Sequence, residues 1–125
     1  MTRHQPDGER IARYKRGKRA EWVAAAVMMS RGYRILHLRY KTPVGEIDIV
    51  AKRGHRIAFV EVKQRRSLDD ALRSITPNLR QRVTRASELW LRRHAPEFRG
   101  DFGFDVVALV PRRWPHYLKD AFDHR

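Results

Sequence analysis

Glu46–Lys52 (EIDIVAK) and Ile57–Lys63 (IAFVEVK), joined by Arg53-Gly54-His55-Arg56, decide how this chain folds. Both runs are rich in Val, Ile and Phe and are bounded by turn residues, the pattern of two strands. With Gly54 and His55 at the centre of a two-residue turn, and Gly supplying the positive φ of the first central position, the strands form a hairpin. The register that pairs Arg53 with Arg56 also sets Asp48 opposite Glu61. Directly opposed residues of an antiparallel pair have Cβ atoms roughly 4.5–5.5 Å apart, and like charges there are destabilising unless compensated. A bound cation would compensate them, which makes the pair a candidate metal site.

Side chains alternate between faces along a strand. Glu61 and Lys63 therefore project together, on the face that also carries Phe59, Ile57 and Val50. Val60 and Val62 point the other way, toward a core expected to include Ile47 and Ile49. The charged groups fall at the open end of an otherwise apolar ribbon, where partial desolvation makes charge costly without a role. The competing reading is an ordinary cross-strand ion pair of Asp48 with Lys63 beside a solvated Glu61, since charged strand ends are common. A one-residue change in the turn would also separate the two carboxylates.

Working outward, Glu9–Arg31 reads as a helix, with Ala20, Val23, Ala24, Val27 and Met28 at helical spacing and Gly32 placed to end it. Glu21 lies beside this stripe among positive charges; it either faces inward or pairs in solvent with Arg16 or Arg19. Tyr33–Tyr40 (YRILHLRY) alternates like a strand with one covered face, and Lys41–Val44 is expected to turn. Ser67 opens the next helix with Asp69 and Asp70 in its first turn, and Thr76-Pro77 restarts or kinks it. Leu79, Val83, Ala86 and Trp90 form an inward stripe over Pro77–His94, leaving Arg80, Arg82, Arg85, Arg92 and Arg93 mostly outward. Phe102–Val110 (FGFDVVALV) reads as a buried strand stopped by Pro111, ahead of a turn at Arg112–Pro115 and a short final segment, His116–Phe122. Residues 1–8 are expected to be a disordered lead and residues 9–125 a single domain. The order of helix, three-stranded meander, helix and one or two further strands predicts an α/β domain whose central mixed sheet is flanked by helices.

The 125 residues suit one domain able to bury roughly two-thirds of its unfolded surface. Cysteine is absent, which excludes disulfides and thiolate zinc sites and leaves carboxylates, carbonyls, water or histidine to hold any metal. Those donors favour a hard ion, Mg²⁺ or Mn²⁺. No apolar run approaches the ~20 residues needed to span a bilayer and the polar N-terminus lacks a signal-peptide core, so a cytoplasmic protein without a membrane partner is expected. The 28 Lys and Arg against 14 Asp and Glu give a net charge of +14, which points to a polyanion, nucleic acid first among them. Codon bias toward Arg in a GC-rich genome would raise the charge too, although it does not predict that the charges cluster.

Gly17, Glu21 and Ala24, Gly32-Tyr33, Gly45-Glu46-Ile47-Asp48, Val60-Glu61-Val62-Lys63 with Arg65, Trp90-Leu91, Phe104-Asp105 and Ala121-Phe122 together resemble the YraN-type bacterial family of the restriction-endonuclease-like superfamily, which carries the PD-(D/E)XK nuclease motif. GEID followed by VEVK at this distance is specific, whereas EVK alone would be weak. The resemblance implies an αβββαβ core, in agreement with the pattern above. It implies that Asp48, Glu61 and the backbone carbonyl of Val62 hold a divalent metal, that Glu21 completes the site directly or through water, and that Lys63 orients the attacking water and screens charge on the phosphate. Two departures stand out. The family usually has Arg where this chain has Gly103, ahead of Phe104-Asp105, and the polar residue expected on the second helix could be Arg80, Gln81 or Arg85.

If the chain is an enzyme, the expectation is a metal-dependent endonuclease acting on DNA, favoured over RNA, with branched or damaged DNA as candidate substrates. Glu21, Asp48, Glu61 and Lys63 would carry the chemistry, and Arg65, Arg66, Arg80, Arg82 and Arg85 would grip flanking phosphates, which positions a strand without reading its sequence. Cutting both strands of a duplex would call for a homodimer. The alternative is a non-catalytic nucleic-acid-binding protein of a repair or ribonucleoprotein assembly that keeps the nuclease fold. A scaffold for an acidic protein is a third, weaker reading. Tyr33, Tyr40, Trp114 and Tyr117 have the chemistry to stack on bases, with core packing or ordinary surface exposure the stronger expectation for each.

Overall fold

The central hairpin forms because Gly54, at φ +58°, makes the backbone reversal that a side chain would resist. The computed structural model describes residues 7–123, with side chains from residue 18 onward. The elements are helix α1 (Asp7–Ser30), strands β1 (Arg34–Thr42), β2 (Gly45–Arg53) and β3 (Arg56–Gln64), helices α2 (Leu68–Arg73) and α3 (Pro77–His94), and strands β4 (Asp101–Leu109) and β5 (His116–Phe122). They build one five-stranded sheet in the order β1-β2-β3-β4-β5. All neighbours are antiparallel except β3 and β4, whose parallel pairing requires the long crossover that α2 and α3 supply.

The hairpin register is the expected one, with Arg53 opposite Arg56 and Ile49 opposite Val60. Helix ends also follow local chemistry. Gly32, at φ +88°, closes α1 in a Schellman arrangement, in which the Tyr33 N–H donates to the Met28 carbonyl and the Gly32 N–H to that of Met29. Ser67 caps α2 by accepting from the Asp70 N–H, and Thr76 caps α3 by accepting from the Leu79 N–H, with Pro77 in the first turn. Thr76-Pro77 therefore starts a separate helix. Of the lead expected over residues 1–8, the first six lie outside the described residues, and Asp7 and Gly8 already belong to α1. The turn expected at Lys41–Val44 is tighter, because β1 runs on to Thr42, whose hydroxyl accepts from the N–H groups of Val44 and Gly45.

Each sheet face has its own core. On one, Val83, Ala86 and Trp90 of α3 pack on Val50, Ile57, Phe59, Phe104, Val106 and Phe122. On the other, Ala24, Ala25 and Met28 of α1 pack on Ile49, Ala51, Ala58, Val60 and Val107. Alanine facing alanine lets α1 lie close to the sheet, while the α3 side is filled by aromatic rings, among them Phe104 stacked on Phe122 at 5.1 Å. One expectation fails. Ile47 does not share the core of Ile49, Val60 and Val62 but joins Tyr40 and Val50 in the α3 core. The β2–β3 ladder stops at Ile49 and Val60, and at the next position the Asp48 side chain, not its backbone, takes the Val62 N–H. Strict alternation ends where the strands part.

Candidate metal and phosphodiester site

The parting of β2 from β3 creates the site. Asp48 Oδ2 accepts from the Val62 N–H at 2.8 Å, and Glu61 is 93% buried beside it. Lys63 Nζ lies 3.7 Å from Glu61 Oε1, with both side chains largely covered. The ordinary surface pair of Asp48 with Lys63 beside a solvated Glu61 is thus not what forms, for it is Glu61 that is buried and paired. An extended residue sends its N–H and C=O to the same side, so the Val62 carbonyl leaves β3 toward Asp48 as well.

Glu21 faces inward. Its charge is felt by Asp48, and its Oε1 receives the Nε of Arg39 at 2.6 Å; of the two partners expected for it, the Arg16 side chain lies outside the described residues. Arg39 escaped the sequence reading. It sits in β1 between the Leu38–Ile49 and Tyr40–Ile47 pairs, across from Asp48, and holds a left-handed backbone at φ +52° that side chains disfavour. Within the alternating YRILHLRY stretch it looks like any outward arginine. Strained residues of this kind gather at functional sites.

The electrostatics are those of two acids sharing too little solvent. Burial raises the Glu61 carboxyl to about 8, with the Asp48 charge adding to the rise and Lys63 opposing it. Burial also raises Asp48, opposed by the Val62 N–H. Both shifts oppose the pair carrying two negative charges when no cation is bound. Among the described residues no three His, Cys, Asp or Glu side chains converge as a ready-made metal cluster. The donors here are two carboxylates and a carbonyl, all hard oxygens, which fits Mg²⁺ or Mn²⁺, ions that keep several waters and need few protein ligands.

The basic residues divide. Arg65 and Arg66 are exposed two and three residues beyond Lys63 on the strand's continuation. Arg80, Arg82 and Arg85 are exposed on α3. The Arg80 guanidinium lies over the Phe122 ring, 5.7 Å from its centre, and the Arg82 backbone abuts Gly45, three residues before Asp48. Asp105 is not part of the carboxylate pair. It is fully buried and takes a bidentate contact from Arg56 at 2.8 Å, the Tyr117 hydroxyl at 2.6 Å and the Asp120 N–H at 2.9 Å. A Cβ on Gly103 would run into the Asp120 carboxylate and the Arg56 guanidinium, so the bare backbone at 103 makes room for the ion pair of an arginine arriving from the neighbouring strand. The sequence reading did not see this network, whose partners lie 49 residues apart.

Residues 20–109 match the uncharacterised protein family UPF0102. The chain belongs to this family. A UPF0102 protein of Rhodopseudomonas palustris (strain HaA2) is 48% identical over 98% of this chain and 95% of its own length. One of Rhizobium meliloti (strain 1021) is 46% identical over 98% of this chain and the whole of the relative. A third, from Bradyrhizobium diazoefficiens, is 49% identical over 92% of this chain and 86% of its own. The UPF0102 span includes every element from the end of α1 to β4, and with them Glu21, Arg39, Asp48, Glu61 and Lys63. No helix among the described residues is long and apolar enough to cross a membrane.

Proposed function

We propose that this UPF0102 protein is a metal-dependent nuclease that hydrolyses phosphodiester bonds in DNA, branched or damaged DNA being the candidate substrates. The observation that carries the reading is the pairing of half-buried Asp48 with buried Glu61 at the point where two strands separate, with Lys63 beside it. Two neighbouring acids largely withdrawn from solvent destabilise a fold unless a cation or a proton offsets their charge. Such a cation, bound by Asp48, Glu61 and the Val62 carbonyl, would supply a Lewis acid and a more acidic water.

The chain's own groups have the remaining roles. Lys63, 3.7 Å from Glu61 in the free protein, would turn toward a non-bridging phosphate oxygen and neutralise charge that builds there. Glu21, held by Arg39, adds negative charge near Asp48 and would help to orient a water on the cation. Arg65 and Arg66 extend from the same strand to grip the flanking phosphodiesters. The net charge of +14 supports a polyanionic substrate. A single site of this kind cuts one strand, so cleavage of a duplex on both strands would take two copies of the chain.

The test is incubation of labelled single-stranded, duplex and four-way-junction DNA, and of RNA, with Mg²⁺ or Mn²⁺ or with neither, with Asp48→Ala and Lys63→Ala run in parallel. Metal-dependent cleavage lost in both variants is the expected result. Salt-sensitive binding without cleavage under either metal would refute the enzyme and leave a nucleic-acid-binding protein.

A further inference from the structure

Trp114 is 90% exposed, the most exposed of the large apolar side chains among the described residues. It sits in the loop from Val110 to Pro115, which joins β4 to β5 at the same end of the sheet as the carboxylate pair. The parallel register sets Lys63 beside Ala108 and Gln64 beside Leu109, and the Arg65 N–H then donates to the Leu109 carbonyl at 3.1 Å. The loop therefore leaves the sheet next to Arg65 and Arg66, directly past Lys63. Two adjoining cavities record this closeness. One, of about 680 Å³, is lined by Arg112, Arg113, Trp114 and His116; the other, of about 400 Å³, shares Arg113 and His116 with it and adds Arg66 and Ser67.

The loop is built to hold its shape. The Arg113 N–H donates to the Val110 carbonyl at 3.2 Å, closing a four-residue turn with Pro111 at its second position and Arg112 at its third. Arg112 has φ +64°, the left-handed conformation that the third position of a type II turn demands and glycine takes without strain. An arginine in glycine's place presents a cation at the cost of backbone strain. Proline on both sides of Arg112-Arg113-Trp114 limits the freedom that binding would otherwise remove.

We propose that Trp114 is a stacking platform for an unpaired base, with Arg112, Arg113 and Arg66 holding the phosphates on either side of it, so that this protein prefers single-stranded nucleic acid or single-stranded segments of a branched substrate over blunt duplex. The inference rests on the nucleic-acid reading of the Asp48–Glu61 site and assigns its substrate class. A base inside a duplex has no free face for the indole to cover, whereas every unpaired base offers one, and such stacking is sequence-tolerant.

Fluorescence anisotropy with labelled 20-nucleotide single strands, deoxy and ribo, and with blunt duplex of the same length, all in EDTA so that nothing is cut, tests this. Trp114→Ala is expected to weaken single-strand binding about 5- to 140-fold, the equivalent of ~1–3 kcal/mol per stacked base, and duplex binding less than about 2-fold. Trp114→Phe, which keeps a ring, should recover most of the loss, and quenching of tryptophan emission by single strands should shrink in both variants. Unchanged single-strand affinity in Trp114→Ala, or equal losses on single strand and duplex, would overturn the platform and leave the nuclease reading standing. Failure of the wild-type protein to bind any nucleic acid would overturn both.

Discussion

Replacing Glu61 by Gln should stabilise the metal-free protein above neutral pH, against the usual cost of altering a buried residue. The Glu61 carboxyl is raised from 4.5 to about 8 in the folded chain. Below about pH 4.5 the folded and unfolded states both hold the proton. Between 4.5 and 8 only the folded state does, so the unfolded state binds fewer protons and stability falls with rising pH, by ~1.4 kcal/mol per unit at most. Above pH 8 the loss is complete. The full interval corresponds to on the order of 5 kcal/mol, carried by the Asp48–Glu61 pair as a unit because the two carboxyls interact. For a chain of this length that is roughly 15–20 °C in melting temperature. Gln keeps the shape, and its amide N–H can still donate to Asp48. The assay is thermal unfolding of wild type and Glu61→Gln from pH 5 to 9 in EDTA, repeated with Mn²⁺. Wild type should lose stability across pH 5–8 and regain it with Mn²⁺, whereas the variant should have a shallower profile and a smaller metal response. Parallel profiles, or a variant less stable than wild type at pH 8.5, would refute the idea that the carboxylates repel one another in the free protein.

Arg56→Ala should cost about 3–5 kcal/mol in denaturant unfolding, because it strands the fully buried Asp105 with an uncompensated charge; a loss under ~1 kcal/mol would mean that Tyr117 and the Asp120 N–H suffice. Gly103→Ala should destabilise by about 1–3 kcal/mol, since the new methyl meets both the Asp120 carboxylate and the Arg56 guanidinium bound to it, and the same substitution made on Arg56→Ala, which also frees the exposed Asp120 side chain to swing away, should cost less; equal costs in the two backgrounds would show that Arg56 neither fills that space nor fixes Asp120 in it. Gly45→Ala should destabilise at least as much, as its Cβ would meet the backbone carbonyl of Arg82 and displace α3; a melting temperature within 1–2 °C of wild type, a shift of well under ~1 kcal/mol, would contradict that close approach. Arg112→Gly should raise stability by up to about 1 kcal/mol by relieving the left-handed backbone; a loss would show that the arginine stabilises the loop.

Sequence by itself determined whatever depends on neighbours a few residues apart. Gly54 at the turn centre set the hairpin and, through it, the register that brings Asp48 and Glu61 to the same level of the ribbon. Ser67, Thr76-Pro77 and Gly32 marked helix ends through hydrogen bonds that reach no farther than five residues. The spacing of Val83, Ala86 and Trp90 marked the buried side of α3. Tertiary structure alone decided where long side chains come to rest. Arg39 is an ordinary alternating residue until α1 brings Glu21 against it from 18 positions away, and Arg56 is a turn residue until β4, 49 positions on, offers Asp105 beneath a glycine. Ile47 changed cores because the strands part at Asp48, where a side-chain hydrogen bond replaces a backbone one. Turn and helix signals are written in backbone geometry that few residue types satisfy, so they can be read locally. An arginine's long side chain can reach in any direction its rotamers allow, and which carboxylate it meets depends on how distant segments pack.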